Sequence, residues 1–177
     1  IELNSALALG GLTLSAGCVK LVKKNTGLKV ISMVRPRGAG FNYTEAETEQ
    51  MFADGEELLK AGSDGLAFGF LTEDREIDRE KTAKMAELIH SFGKEAVFHR
   101  AYDCVKDPYE AMETLISLKI DRVLTSGLRE KAVEGAELLR RLQAEYGSRI
   151  QILAGSGVNA GNAKALMAET GLTQVHS

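Results

Sequence analysis

Short apolar runs alternate with amphipathic stretches along this chain, and the alternation predicts strands separated by helices. Runs of four to eight apolar residues bounded by turn residues are typical of strands buried on both faces. The intervening stretches carry helix-start signals, such as the capping box Thr44-Glu-Ala-Glu47 and the Asp107-Pro108 pair. The last two predicted helices begin at Glu130 and Ala160. The seven predicted strands are Ile1 to Asn4, Lys29 to Val34, Asp64 to Leu71, Glu95 to Asp103, Asp121 to Thr125, Gln151 to Ala154 and Thr173 onward.

The predicted strands recur about every 25 to 30 residues, with one helix between successive strands. Such alternation favours a parallel sheet with crossover helices. Two α/β architectures fit it: an open doubly wound sheet and a closed TIM (β/α)8-type barrel. A barrel brings the polar ends of all strands to one face, whereas an open sheet concentrates them at one switch point. Since nearly every strand here ends in polar residues, we predict the barrel.

The 177 residues are enough for one predicted domain, 1–177, with seven of the eight strands of a barrel. Ile1 already resembles the middle of a strand, and Gln174 to Ser177 resembles a strand that is cut short. We therefore expect the first barrel strand to be absent from this chain, and material to be missing at both ends.

The composition and net charge of the chain limit the classes of partner that it can be expected to bind. Apolar residues make up 44% of the chain, charged residues 27%, and the net charge is -3. This charge gives no footprint for nucleic acid or an anionic membrane surface, so neither is an expected partner. No apolar run approaches the ~20 residues of a membrane span and no signal peptide is present, so we expect a cytoplasmic protein. The two cysteines, Cys18 and Cys104, do not form a disulfide framework.

Polar residues at the strand ends form one predicted rim around the barrel mouth. By strand alternation, Glu2 and Asn4 point inward, and Arg35 shares a face with Ile31 and Met33. His99 and Arg100 are adjacent, so only one of them can point inward while the other anchors a loop. The rim comprises Glu2, Asn4, Arg35, Arg37, Thr72, His99, Arg100, Asp103, Thr125, Ser126, Ser156 and His176.

An anion site is the first hypothesis for this rim. Its members would be three arginines, a serine and a glycine-rich loop whose backbone N–H groups lie at a predicted helix N-terminus. In a full barrel this loop follows the seventh strand, a recurrent phosphate position. The alternative is that the two glycines only permit a tight turn. The predicted anion-binding residues are Arg35, Arg37, Arg100, Ser126, Gly155, Ser156 and Gly157.

Acid/base catalysis is the second hypothesis, with Glu2, His99 and Asp103 as the catalytic candidates. A histidine beside a carboxylate titrates near neutral pH and can move protons. The alternative is structural: His99 is a buried, hydrogen-bonded residue, and Glu2 pairs with Arg35 or Arg100 because a charge inside a barrel needs a partner. The residues leave both alternatives open.

Six motifs, in order and at matching separations, resemble the CutC family of copper homeostasis proteins. The resemblance covers the whole chain and implies a TIM barrel, a cytoplasmic setting and a role in copper handling. Members similar to this chain begin with one further strand and continue beyond Ser177. The motifs are Ile1-Glu-Leu3, Leu9-Gly-Gly-Leu-Thr13, Met33-Val-Arg-Pro-Arg-Gly38, Phe98-His-Arg-Ala-Tyr-Asp103, Asp121-Arg-Val-Leu-Thr-Ser-Gly127 and Gly155-Ser-Gly-Val-Asn159.

Copper is a partner that the resemblance implies, but no metal ligand can be named. In some family members the proposed Cu(I) ligands are cysteines that close the first two barrel strands. Asn4 stands at the second of these positions here. Cu(I) prefers thiolate, thioether or imidazole to an amide oxygen. Cys18 lies among apolar residues of a predicted helix and is expected in the core, while Cys104 follows Asp103 at the rim.

Two functional classes therefore remain open, and the sequence does not decide whether the protein is an enzyme. The first is copper binding or copper tolerance, with Cu(I) as the partner. The second is a TIM-barrel enzyme that acts on an anionic or phosphorylated small molecule by acid/base chemistry at the C-terminal barrel mouth. A third alternative is an interaction scaffold that forms homo-oligomers.

Overall fold

A computed structural model describes all residues from Ile1 to Ser177 and contains a six-stranded parallel sheet with helices between the strands. The strands are β1 Glu2–Leu3, β2 Ile31–Met33, β3 Gly65–Phe68, β4 Glu95–Phe98, β5 Arg122–Thr125 and β6 Gln151–Ala154. The helices are α1 Ala16–Asn25, α2 Glu45–Lys60, α3 Arg79–Ser91, α4 Pro108–Ser117, α5 Ala136–Tyr146 and α6 Ala163–Thr170. Two short 3₁₀ helices cover Leu7–Leu9 and Arg100–Cys104.

Strand order in the sheet follows the chain, β1-β2-β3-β4-β5-β6, and every pairing is parallel. A doubly wound sheet would reverse its order at a switch point, which this sheet does not do. The loops after β1 and β6, the two ends of the strand order, line a common cavity through Asn4 and Ser156. The sheet therefore curls as the wall of a partial TIM barrel, and the predicted fold class is confirmed.

The starts of α1, α2 and α4 agree with capping signals in the sequence. Ser15 caps α1 by accepting a hydrogen bond from the Cys18 N–H. Thr44 and Glu47 form the predicted capping box of α2, and Asp107 caps α4 with Pro108 at its first turn. No helix combines the length and the apolar character that a membrane span requires.

Two strand predictions are corrected. β4 ends at Phe98 instead of Asp103, because the Nδ1 atom of His99 accepts a hydrogen bond from the Ala101 N–H and the chain turns into a 3₁₀ helix. The predicted seventh strand is reduced to one parallel bridge between Val175 and Ala154. This bridge places the last residues of the chain beside the end of β6, at the barrel mouth.

Two helix predictions are also corrected at their starts. We expected a helix from Glu130, but residues 129–135 form turns, and α5 begins at Ala136. Gly135 packs so tightly against Ser126 that a Cβ would lie 2.0 Å from the Ser126 carbonyl oxygen. We expected α6 from Ala160, and it begins at Ala163.

The apolar side chains form two layers, one on each face of the sheet. The inner layer is a small cluster of Ile31, Met33, Ala67 and Val97 inside the barrel. The outer layer is a continuous core of 37 buried residues between sheet and helices, and it includes Phe68 and Phe98. Arg35 follows Ile31 and Met33 at two-residue intervals, so its side chain emerges above the inner layer, as alternation predicts.

Gly65 provides a test of this packing. A Cβ at Gly65 would lie 2.4 Å from the Glu95 carbonyl oxygen and 2.7 Å from the Ile31 Cδ1 atom. Because neighbouring strands cannot separate freely, we expect Gly65→Ala to lower the free energy of unfolding by about 1–3 kcal/mol. Urea unfolding measures this change. The control is Gly27→Ala, where no atom lies within 4 Å of the added Cβ. A Gly65→Ala protein as stable as the control would contradict the strand packing described here.

Candidate functional site

A cavity of about 300 Å³ opens at the carboxyl ends of the strands. Its wall combines residues that follow β1, β2, β4 and β6 with the last residues of the chain. We call it the mouth cavity. It is lined by Glu2, Asn4, Leu7, Gly10, Met33, Arg35, Phe41, His99, Arg100, Leu124, Ser156, Gly157, His176 and Ser177.

Arg35 is a buried cation without a carboxylate partner. Its side chain donates to the carbonyl oxygens of Leu9 and Gly10, each at 3.2 Å, and of Ala39 at 3.0 Å. Its guanidinium carbon lies 5.0 Å from the ring centre of Phe41. The residue is only 9% exposed, and its buried Nε–H has no acceptor. Tyr43, whose buried hydroxyl is likewise without a partner in the chain's hydrogen-bond network, is a side-chain neighbour of Arg35, and Arg35 opposes the rise that burial causes in the pKa of Tyr43.

His99 is a neutral hydrogen-bond donor in the wall of the mouth cavity. The residue is 3% exposed, and burial, followed by the positive charge of Arg35, lowers its pKa to about 4. The Nδ1 atom accepts the Ala101 N–H at 3.2 Å, so the proton of the neutral ring is on Nε2. That buried Nε2 atom has no partner in the chain. The expected titration near neutral pH is therefore wrong, because the charged ring would be buried beside a cation.

Glu2 pairs with His176 across the cavity wall. The Nε2 atom of His176 lies 3.6 Å from a carboxylate oxygen of Glu2, and Asn4 donates to the other oxygen at 3.2 Å. Burial alone would raise the pKa of Glu2, but His176 and Asn4 together hold it below its usual value. The pKa of His176 is raised in turn by Glu2. The alternative in which Glu2 pairs with Arg35 or Arg100 is thus not what the structure shows.

Asp103 lies outside the lining of the mouth cavity and holds two loops together. Its carboxylate accepts the Thr125 hydroxyl at 2.5 Å and the Ser126 N–H at 3.0 Å, and it pairs with the Arg100 Nε atom at 2.8 Å. The Leu128 N–H approaches it at 3.3 Å. With its oxygens occupied in this way, Asp103 positions the loop after β5, and Ser126 belongs to the same cluster.

The three predicted arginines have different surroundings. Arg100 lines the mouth cavity, but its charge is matched by Asp103, so it is the loop anchor of the His99–Arg100 pair. Arg37 lies outside the cavity lining, paired with Glu47 at 2.5 Å and stacked on Tyr43. Only Arg35 brings an unmatched positive charge to the cavity.

The Gly155-Ser-Gly157 loop contributes two residues to the mouth cavity. Ser156 and Gly157 both adopt left-handed backbone conformations, with φ of 83° and 69°. The loop does not open a helix, because α6 begins only at Ala163, so the predicted dipole contribution is absent. Gly155 does not line the cavity and packs against Leu124 and His176.

Three residues of the site were not among the sequence-based site candidates. His176 appeared only as a rim residue, because its partner Glu2 is at the opposite end of the chain. Phe41 lies in a loop without a periodic signal, and it packs 5.1 Å from the His99 ring. Gly69 makes room for that ring, since a Cβ there would lie 2.7 Å from His99 Nδ1. A lone glycine after a strand is the only available signal for this close approach.

The donor set of the mouth cavity does not fit Cu(I). His99 offers an N–H instead of a lone pair, which leaves Met33 and His176 as the only soft ligands in the lining. No group of three His, Cys, Asp or Glu side chains is placed to hold a metal ion. Cys18 is exposed on α1, contrary to the expected core position, and Cys104 is exposed on a different element.

Comparisons with known proteins point to one family. A model of the CutC family matches residues 1–177. A CutC family protein of Treponema denticola is 47% identical over 176 residues, 99% of this chain and 71% of that protein. The human copper homeostasis protein cutC homolog is 40% identical over 176 residues, and the chain spans 64% of its length.

Solved structures agree with this family match. The CutC crystal structure from Streptococcus agalactiae superposes with a TM-score of 0.93 at 32% identity, over 99% of this chain and 86% of that one. The aldolase QR15 has a TM-score of 0.66 at 18% identity, over 95% of this chain and 77% of that one. At this low identity the aldolase shows a shared fold only.

The Glu2–His176 pair predicts the titration of two histidines. We expect the His176 ring to titrate above its ordinary pKa of 6.5 and His99 to stay neutral down to about pH 4. Glu2→Gln removes the carboxylate and should lower the midpoint of His176. Histidine side-chain NMR measures both midpoints. A His176 midpoint that is unchanged in Glu2→Gln would contradict the pairing.

The same pair predicts a pH window for stability. Because the pKa of His176 is raised in the folded state, this residue stabilises the fold below pH 6.5. The stabilisation is lost as the pH rises through the pKa of the folded state. Because the pKa of Glu2 is lowered in the folded state, this residue stabilises the fold above pH 4.5. The stabilisation is lost as the pH falls through the pKa of the folded state. The stability difference between the wild type and Glu2→Gln should therefore be largest between these two pH values.

Asp103 predicts a stability effect without a direct role in the cavity. In Asp103→Asn the amide NH₂ replaces an acceptor and faces the donors of the β5 loop. We expect the free energy of unfolding to fall by about 1.5–3 kcal/mol, the range for hydrogen bonds to charged groups. Asp74→Asn, at an exposed site, serves as the control and should change stability by about 0.5 kcal/mol or less. Equal urea midpoints of the two variants would refute the loop-holding role.

Proposed function

This chain belongs to the CutC family, and we propose that it acts in copper homeostasis, the role carried in the names of its human and mouse relatives. The observation that supports this proposal is the family match over residues 1–177, together with 40% identity to the human relative over 99% of the chain. At this identity the fold is expected to be shared.

In this proposal copper is either a ligand that the protein carries or the metal whose level the protein helps to control. Cu(I) ligation requires thiolate, thioether or imidazole donors close together. The mouth cavity offers one thioether, Met33, and one imidazole with an available lone pair, His176. The exposed thiols of Cys18 and Cys104 belong to separate elements. We therefore propose that the copper role does not depend on a Cu(I) cluster built from these residues.

The cytoplasm is the compartment that we propose for this role. Two free cysteines and no disulfide are what a reducing compartment favours. Homo-oligomer formation stays a prediction of the sequence.

A second candidate function is supported by the mouth cavity itself: an enzyme that acts on an anionic small molecule by acid/base chemistry. The specific observation is Arg35, a buried cation without a carboxylate partner, in the same cavity as the Glu2–His176 pair. In this candidate Glu2 and His176 are the groups that transfer protons to and from the substrate. His99 is held neutral, and Asp103 is occupied by the β5 loop.

The copper proposal predicts a growth phenotype. Deletion of the gene in its host should lower tolerance to added copper, and expression of the full-length protein should restore it. Because the exposed thiols belong to separate elements, a Cys18→Ser/Cys104→Ser variant should restore tolerance as well as the wild type does. Growth curves over a copper series measure both effects. Unchanged tolerance after deletion would refute the copper role, whereas failure of the double variant alone would show that its thiols take part.

A further inference from the structure

We propose that the outer surface of α1 and α2 is an interface through which two copies of the protein form a symmetric dimer. The surface belongs to the outside of the barrel wall, away from the mouth cavity. The inference therefore rests neither on the copper role nor on the second candidate function. It gives the homo-oligomer expected from the sequence a defined contact.

The first support is the exposure of α1. Only one of its ten residues, Val19, is buried. Leu21 is 63% exposed, and Cys18, one turn earlier on the helix, is exposed as well. Exposed apolar side chains that are flanked by charged residues are typical of a surface that contacts another protein. α1 therefore carries an apolar strip that no other element of the chain covers.

The second support is the opposite charge of the two helices. α1 contains three lysines and no acidic residue, whereas α2 contains six acidic residues and one lysine. Some of these charges are matched within the chain, such as Lys23 by Asp64 at 2.6 Å and Glu47 by Arg37 at 2.5 Å. Two exposed pairs have no ion-pair partner: the lysine pair, Lys20 and Lys24 on α1, and the glutamate pair, Glu45 and Glu49 on α2.

The third support is the position of the two pairs along the helices. α1 and α2 are in contact on the outside of the barrel, and both run from the mouth side to the opposite end. The lysine pair is in the last six residues of α1, and the glutamate pair is in the first five of α2. A two-fold axis perpendicular to the helices places α1 of one copy antiparallel to α2 of the other. The end of α1 then faces the start of the second α2, so the lysine pair meets a glutamate pair.

A second copy fits this surface better than an unrelated acidic partner does. In a two-fold interface every contact occurs twice, so both lysine pairs and both glutamate pairs are matched. An acidic partner would match the lysine pair and repel the neighbouring glutamate pair. Exposed ion pairs contribute little individually, so the charges mainly fix the orientation of the two copies. The apolar contact comes from Leu21, opposite the partly exposed Phe52 of the other copy.

Reversal of the charges tests the interface. The lysine-pair variant is Lys20→Glu/Lys24→Glu, and the glutamate-pair variant is Glu45→Lys/Glu49→Lys. In each variant like charges face each other, so we expect the dissociation constant of the dimer to rise about 10- to 100-fold. An equimolar mixture of the two variants should dimerise as the wild type does, because both contacts of the mixed dimer join opposite charges. Analytical ultracentrifugation of the full-length proteins at low salt measures these constants.

The matched control is Lys131→Glu/Lys164→Glu, which changes the net charge as the lysine-pair variant does, at exposed positions on the β5 loop and α6. It should dimerise as the wild type does. A wild type that stays monomeric throughout the concentration series would overturn the proposal. Equal dissociation constants of the control and the lysine-pair variant would also overturn it, as would a mixture of the two variants that stays monomeric.

A second measurement uses the wild type alone and depends on no variant. Reaction of Cys18 with an excess of a thiol reagent should slow as the protein concentration rises and the dimer forms. Cys104, which is exposed on a different element, should react at a constant rate. A Cys18 that is unreactive at every concentration would show that another part of the polypeptide covers α1. A Cys18 that reacts equally fast in monomer and dimer would show that the dimer uses another face, and either result would overturn the proposal.

Discussion

Parallel pairing of each strand with the next strand in the chain is the constraint on which the mouth cavity depends. Because all six strands run the same way, the residues that follow them emerge at one face. The register then stacks Met33 beside Ala67 and Ala67 beside Val97, which forms an apolar floor. Arg35 and His99 are buried above this floor, so contacts within the protein decide their charge states.

The charged groups of the mouth are mostly paired with one another. Asp103 and Arg100 match each other, and Glu2 and His176 do so across a longer distance. His99 loses its proton instead, because burial and the charge of Arg35 both disfavour the cation. The chain thus neutralises most of its mouth and leaves one positive charge, that of Arg35. A neutral His99 is a consequence of that arrangement and not a separate feature.

Local signals in the sequence were sufficient for the fold and for part of the site. The Thr44–Glu47 capping box and the alternation that places Arg35 with Met33 depend only on neighbours in the chain, and both are present in the structure. The end of β4 was predicted too late, because a side-chain acceptor on His99 competes with strand extension. Such competition depends on the rotamer of one ring, which a pattern of residue types does not encode.

The remaining features of the site depend on contacts between distant parts of the chain. Nothing near Glu2 indicates that its partner is His176, and nothing near Asp103 indicates that the β5 loop will occupy its oxygens. The two acids were equivalent as sequence candidates, yet one lines the cavity and the other holds a loop. The difference comes from the curl of the sheet, which sets which strand ends face each other.

The chemistry of the mouth cavity also limits how the family's copper role can operate in this chain. Guanidinium and imidazole N–H groups are hydrogen-bond donors, which suit oxyanions, whereas Cu(I) requires soft lone-pair donors. The mouth is rich in the first kind and contains little of the second. A role in copper homeostasis and an oxyanion site are compatible, because homeostasis does not require direct ligation of the metal.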